Sequence, residues 1–172
     1  MKKILSLAMT VIMVLSLGCN IFAAPATQTF SDSKYKIEFQ IDKTWKKQQN
    51  TGSMMRAFYM KDPANGSSLN LQVEAPAINV TLEKYMSLAI SQLKSAMAVK
   101  NVKVTYSKGT NKKIKVAVLT ENMDKNGVPL KLYQYIFKYN GKFYILTFGA
   151  VESNYSKDLK VMEQLIKSIK LK

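Results

Sequence analysis

Apolar and polar side chains alternate along Tyr35-Lys36-Ile37-Glu38-Phe39-Gln40-Ile41, the two-residue period of a half-buried strand. Asp42-Lys43-Thr44 then turns the chain into Trp45. Met54 to Met60 and Leu69 to Val73 read as two more strands. Between them, Asp62-Pro63-Ala64-Asn65-Gly66 has a proline that fixes φ and a glycine that permits positive φ, the residues of a tight turn. The three segments together predict an antiparallel meander. The period then lengthens. Leu82, Tyr85, Met86, Ala89, Ile90, Leu93, Ala96 and Met97 recur three and four apart, with Lys84, Ser87, Ser91 and Lys94 on the opposite side. This is an amphipathic helix, with Asn79 or Thr81 as its N-cap and Glu83 near its positive end.

Strands resume at Val102–Tyr106, Ile114–Thr120, Leu130–Tyr139 and Phe143–Ala150, with turns at Gly109-Thr110-Asn111 and Asp124-Lys125-Asn126-Gly127. Asn140-Gly141 between two apolar runs is a two-residue hairpin turn, because both residues tolerate positive φ. Leu130, Leu132 and Ile136 share one face of their strand, and Tyr133, Tyr135, Phe137 and Tyr139 the other. Phe143 and Ile145 likewise oppose Tyr144, Leu146 and Phe148. A sheet with one wet face alternates more strictly than this. Helices are therefore expected on both faces, an α+β fold with an antiparallel sheet in a three-layer α/β/α arrangement. The second cover is a helix carrying Tyr155, Leu159, Met162, Leu165, Ile166 and Ile169, capped by Ser153 or Ser156. Lys167, Lys170 and Lys172 fall at its C-terminal end, where the helix dipole favours cations.

The first 26 residues follow a different rule. Lys2-Lys3 precedes an apolar run from Ile4 to Leu17, too short to span a bilayer, and Ala24-Pro25-Ala26 has the A-x-A form of a cleavage site. Residues 1–26 are expected to be an export signal and residues 27–172 a single domain. Leu15-Ser16-Leu17-Gly18-Cys19 also resembles a lipobox, in which Cys19 is acylated and becomes the first residue. Ser16 departs from the usual leucine, and Ile21-Phe22-Ala23-Ala24 stays apolar past the cysteine. Secretion is the expected fate and lipidation at Cys19 the alternative. Both place the domain outside the cytoplasm.

The formal charge is +15, from 26 basic and 11 acidic residues. Without Lys2 and Lys3 it is 24 − 11 = +13. Arg56 is the only arginine. Lysine is a strongly hydrated point charge, whereas bidentate phosphate and base contacts favour arginine. The excess therefore suits diffuse attraction to an anionic partner better than nucleic-acid readout, and no nucleic acid is expected. Histidine is absent and the sole cysteine lies in the signal, so the domain has no imidazole, thiol nucleophile or disulfide. Ser91-Gln92-Leu93-Lys94 matches S-x-x-K, but no K-T-G accompanies it and Leu93 belongs to the apolar stripe. No phosphate-binding glycine loop or calcium loop occurs. A non-enzymatic protein without cofactor or metal is expected. A carboxylate pair assembled by folding, drawn from such turn residues as Asp42, Asp62 and Asp124, is the remaining catalytic alternative.

Tyr133, Tyr135 and Tyr139 beside Lys131, Lys138 and Lys142 read either as packing under a helix or as a basic, stacking surface. Trp45 either closes a core edge or serves as a binding aromatic. Met54, Met55 and Tyr59 are candidates to line a small-ligand pocket between sheet and helix.

The opening strand leading to a tryptophan (Phe39 to Trp45), the helix start Leu82-Glu83-Lys84-Tyr85, and the paired aromatic strands ending in Phe148-Gly149-Ala150 before a last helix resemble the PsbP-like superfamily, which includes PsbP, DcrB-like and Mog-like proteins. Asp42-Lys43-Thr44 lacks the proline often found before that tryptophan. The resemblance implies an antiparallel sheet between helices and an accessory or binding role. The expectation is an exported accessory protein of the cell envelope that meets a protein or anionic envelope partner, tethered by a lipid or attracted by its basic surface. Small-ligand binding is the alternative.

Overall fold

The computed structural model describes residues 26–49, 53–61, 66–76, 78–96, 99–110, 113–125 and 128–172. Within them the chain runs β1 (Thr27–Asp32), β2 (Ile37–Asp42), β3 (Lys46–Lys47), β4 (Met55–Met60), β5 (Ser68–Glu74), α1 (Leu82–Ala96), β6 (Val99–Lys108), β7 (Lys115–Lys125), β8 (Val128–Tyr139), β9 (Lys142–Val151), α2 (Glu152–Ser168) and β10 (Lys170–Leu171). Cys19 with the rest of residues 1–25, Met97, and turn residues 62–65, 111 and 126–127 lie outside the described residues.

Every strand pairing is antiparallel. Seven strands form one sheet in the order β3-β4-β5-β9-β8-β7-β6, and three form a second, β1-β2-β10. The expected meander is thus divided. β4 and β5 pair as anticipated, but β2 pairs with β1 and β10 instead of β4. Alternation marks a strand with one buried face and leaves its sheet open. The buried face of β2, Ile37, Phe39 and Ile41, joins the same core cluster as Leu69 and Leu71 of β5 and Leu146 and Phe148 of β9. β1 holds its place through Phe30, stacked on Phe39 at 4.8 Å between centroids.

The large sheet is covered on both faces. α1 lays Leu82 and Met86 against Ala117, Leu119, Ile136, Phe143 and Ile145. On the other face α2 places Met162 and Leu165 in the main core beside Tyr144, Leu146 and Phe148. The second cover is therefore a helix and a small sheet side by side. The face assignments expected for β8 and β9 hold: Ile136, Phe143 and Ile145 lie under α1, and Tyr135, Phe137, Tyr144 and Phe148 on the α2 side. Their hairpin turns at Asn140 (φ 47°) and Gly141 (φ 74°), both in the left-handed region that the turn requires.

Capping follows the sequence at α1 only. Thr81 Oγ1 accepts from the Lys84 amide at 3.2 Å, while Asn79 Oδ1 accepts from Lys138 Nζ at 2.5 Å. α2 begins at Glu152 after Val151, with no side-chain cap. It also ends earlier than the apolar stripe suggests. Ile169 is extended and Lys170 already pairs in β10, so Lys170 and Lys172 lie beyond the helix. The stripe continues through Ile169 and Leu171 because both still pack against the core after the chain has become a strand. No helix among the described residues is long and apolar enough to cross a membrane.

Candidate functional site

The side chains that read either as packing under a helix or as a basic, aromatic surface do not converge on one surface. Trp45 is fully buried, with its ring centroid 6.3 Å from that of Phe148. It closes the core and is not a binding aromatic; its residue type carries enough apolar area to be drawn in when a sheet face is available. Tyr135 is 6% exposed and edges onto Phe137. Tyr133 is half-buried, and burial raises its phenol pKa. Tyr139 packs on Tyr144 and donates to the Lys172 carbonyl at 3.1 Å. The lysines separate by strand parity. Lys131 turns to the α2 side, pairing with Glu152 at 2.6 Å and lying over the Tyr155 ring. Lys138 turns to the α1 side, over the Phe143 ring and bonded to the Val80 carbonyl at 2.6 Å. Lys142 sits at the hairpin, opposite Tyr139. Neighbours in sequence, these lysines are dispersed because successive strand residues face opposite ways.

The Met54, Met55 and Tyr59 pocket is not formed either. Tyr59 is 2% exposed within the core and Met54 is 51% exposed. Asp42 is engaged in its own turn, accepting from the Thr44 amide and hydroxyl at 2.8 and 2.7 Å.

A cleft does form elsewhere, at the C-terminal end of α2. It measures about 410 Å³, within the range of small-ligand sites. Its floor is sheet: Ile114, Val116, Tyr135 and Phe137. Its wall is Ile169 and Leu171, and Lys167, Lys170 and Thr110 stand at its edge. The cause is a mismatch of widths. On the α2 side of the large sheet the apolar surface reaches Val116, whose partner across the ladder is Ser107. The next strand, β6, presents Lys103, Thr105 and Ser107 in register with Thr120, Val118 and Val116. α2 and the small sheet cover the centre and stop short of this flank. Gly109 closes the β6–β7 turn by donating to the Ile114 carbonyl at 2.8 Å. A Cβ there would come within 2.9 Å of both Tyr135 Oη and Val116 Cγ1. Burial raises the Tyr135 pKa, and a hydrogen bond with Thr110 partly offsets this.

A second groove, about 250 Å³, runs between α1 and the sheet. Gln72, Glu74, Gln92 and Gln134 supply polar groups to its lining, beside Ala89, Leu93, Ile136 and Ile145. Tyr85 donates to Glu74 at 2.7 Å and stacks on Phe143 at 4.0 Å. Burial and the Glu74 carboxylate together push its phenol pKa well up. Sequence periodicity signalled neither space, because a cleft arises from where covering elements end.

No protein-family model matches the sequence, and no curated protein matches it. Solved structures do. Cyanobacterial PsbP (CyanoP) from Synechocystis aligns with a TM-score of 0.66 over 90% of this chain and 97% of its own, at 11% identity. The fold is PsbP-like. The PsbP-like arrangement also aligns with LpqN of Mycobacterium tuberculosis, described as involved in cell envelope biogenesis, with a TM-score of 0.62, 10% identity and 87% of each chain covered. Pseudomonas aeruginosa PA94 gives a TM-score of 0.55 at 12% identity, over 82% of this chain and 94% of its own. At such identities the likeness concerns the PsbP-like fold alone.

Proposed function

We propose that the mature chain is an exported, non-enzymatic accessory protein of the cell envelope, which meets a protein or anionic envelope partner through its lysines. The observation that carries this reading is their placement. Lys34, Lys36, Lys43, Lys46, Lys47, Lys84, Lys94, Lys103, Lys108, Lys157 and Lys160 are all exposed, spread over the large sheet, the turns beside the small sheet and both helices. A charge distributed in this way gives salt-sensitive, loosely oriented attraction rather than one shaped contact. The absence of histidine, with the only cysteine in the signal, supports a non-catalytic role. The export signal supports an extracytoplasmic site, and the fold shared with LpqN fits an envelope setting.

Retention of the mature protein on envelope fractions at low and high salt tests the reading. Binding at low salt that falls away at high salt is expected. No retention, or retention indifferent to salt, would overturn it. Mass spectrometry of the mature N-terminus separates the two modes of export: Thr27 means secretion and a diacylated Cys19 means a lipid tether.

A further inference from the structure

We propose that the cleft at the C-terminal end of α2 binds a single-chain anionic amphiphile, with its chain over Ile114, Ile169 and Leu171 and its head between Lys167 and Lys170. The chemistry of the two halves carries this. Ile114, Ile169 and Leu171 are apolar and only partly buried at the edge of the main core, above the buried Val116 and Phe137, and apolar area left open gains by being covered. The edge is cationic. Lys167 is exposed and forms no ion pair among the described residues. Lys170 is 67% exposed, with only a 3.5 Å contact to Glu38, which also pairs with Lys172 at 2.9 Å.

The end of a helix ordinarily repels anions through its free carbonyls. Here the Ile166 carbonyl accepts from Thr110 Oγ1 at 3.2 Å and from the Ile169 amide at 3.3 Å. The ammonium groups are thus the charge that a head group would meet. A purely apolar ligand would leave these lysines unused. A small anion would leave these part-exposed apolar side chains uncovered. Binding at this one cleft does not depend on the diffuse lysine surface proposed above.

Calorimetric titration with laurate, below its micellar concentration, tests it. Dodecanol and acetate separate the roles of head and tail. Saturable binding of laurate to one site is expected, with weaker binding of dodecanol and none of acetate. Lys167→Ala/Lys170→Ala should weaken laurate at least about tenfold. Lys84→Ala/Lys94→Ala, on α1 at the opposite face, should leave it unchanged. Amide shifts on binding should centre on Gly109 and Ile169. Equal loss in both double variants would reduce the effect to general charge attraction, overturning the cleft while leaving the electrostatic partner intact. Dodecanol binding as well as laurate, or no laurate binding, would also overturn it.

Discussion

Two buried acidic residues show how differently the same chemistry can be accommodated. Asp158 on α2 is 1% exposed and accepts from Lys61 Nζ at 2.5 Å and from the buried Ser67 hydroxyl at 2.7 Å. It pins the helix to the edge of the β4–β5 pair. Asp158→Ala removes the acceptor that both share and should cost about 2–4 kcal/mol in urea unfolding. A loss below about 1 kcal/mol would mean the contact is incidental. Glu121 is 2% exposed, and its Oε2 has no hydrogen-bond partner among the described residues. It follows Leu119 on the α1 side of β7, opposite Leu132. Burial raises its pKa, so the folded state keeps the proton to a higher pH than the unfolded state. Its contribution to stability is complete below the ordinary carboxyl range and is lost as pH rises through the raised value. Glu121→Met should remove that decline and stabilise the protein at neutral pH by about 1–3 kcal/mol. Thermal unfolding from acid to neutral pH checks this; parallel profiles for the two proteins would refute it.

At the scale of elements, the strongest local signals are the ones the fold retained. Asn140-Gly141 marked the hairpin. A Cβ added at Gly141, whose φ is 74°, would meet nothing within 4 Å, so only backbone strain opposes a side chain there. Gly141→Ala should therefore cost about 1–2 kcal/mol, measured as a fall in the unfolding midpoint without change in its slope. The helical stripes were equally legible, because burial has the same period as the sequence. Leu165, fully buried, and Leu88, 49% exposed, occupy opposite sides of their helices. Leu165→Ala should cost about 2–5 kcal/mol and Leu88→Ala under about 0.5. The short elements were not legible. β1 buries only Phe30 of its six residues, and β3 and β10 have two residues each. Their existence depends on a partner strand brought from far along the chain, such as Ile37 opposite Leu171, which no local window contains. The cleft was hidden for the same reason: Val116, Gly109 and Leu171 meet only after β10 docks.

For the molecule as a whole, the two sheets and α2 are joined by an aromatic core whose phenols report on its integrity. Tyr144 of the large sheet stacks on Phe137 at 5.0 Å and reaches across to donate to the Tyr35 carbonyl beside the small sheet at 2.7 Å. Burial is the first cause holding its pKa up, at about 12. Burial likewise raises Tyr59, Tyr85, Tyr133, Tyr135 and Tyr155. These groups stay protonated in the fold at a pH where the unfolded chain ionises them. Their stabilisation is complete below about pH 10, the ordinary tyrosine value, and is lost as pH rises through the raised values. The lysines lose charge over the same range and relieve their mutual repulsion, an effect of opposite sign that high salt suppresses. At high salt, phenolate absorbance from these tyrosines should therefore rise together with loss of far-ultraviolet circular dichroism, as one alkaline unfolding step. Tyr144→Phe should lower stability at neutral pH by about 1 kcal/mol, because it removes the hydrogen bond from this phenol to the Tyr35 carbonyl, and should make the alkaline decline shallower, because one raised phenol no longer ionises on unfolding. Smooth ionisation of all the phenols before any loss of structure would show that the tyrosines are not the seal between the layers.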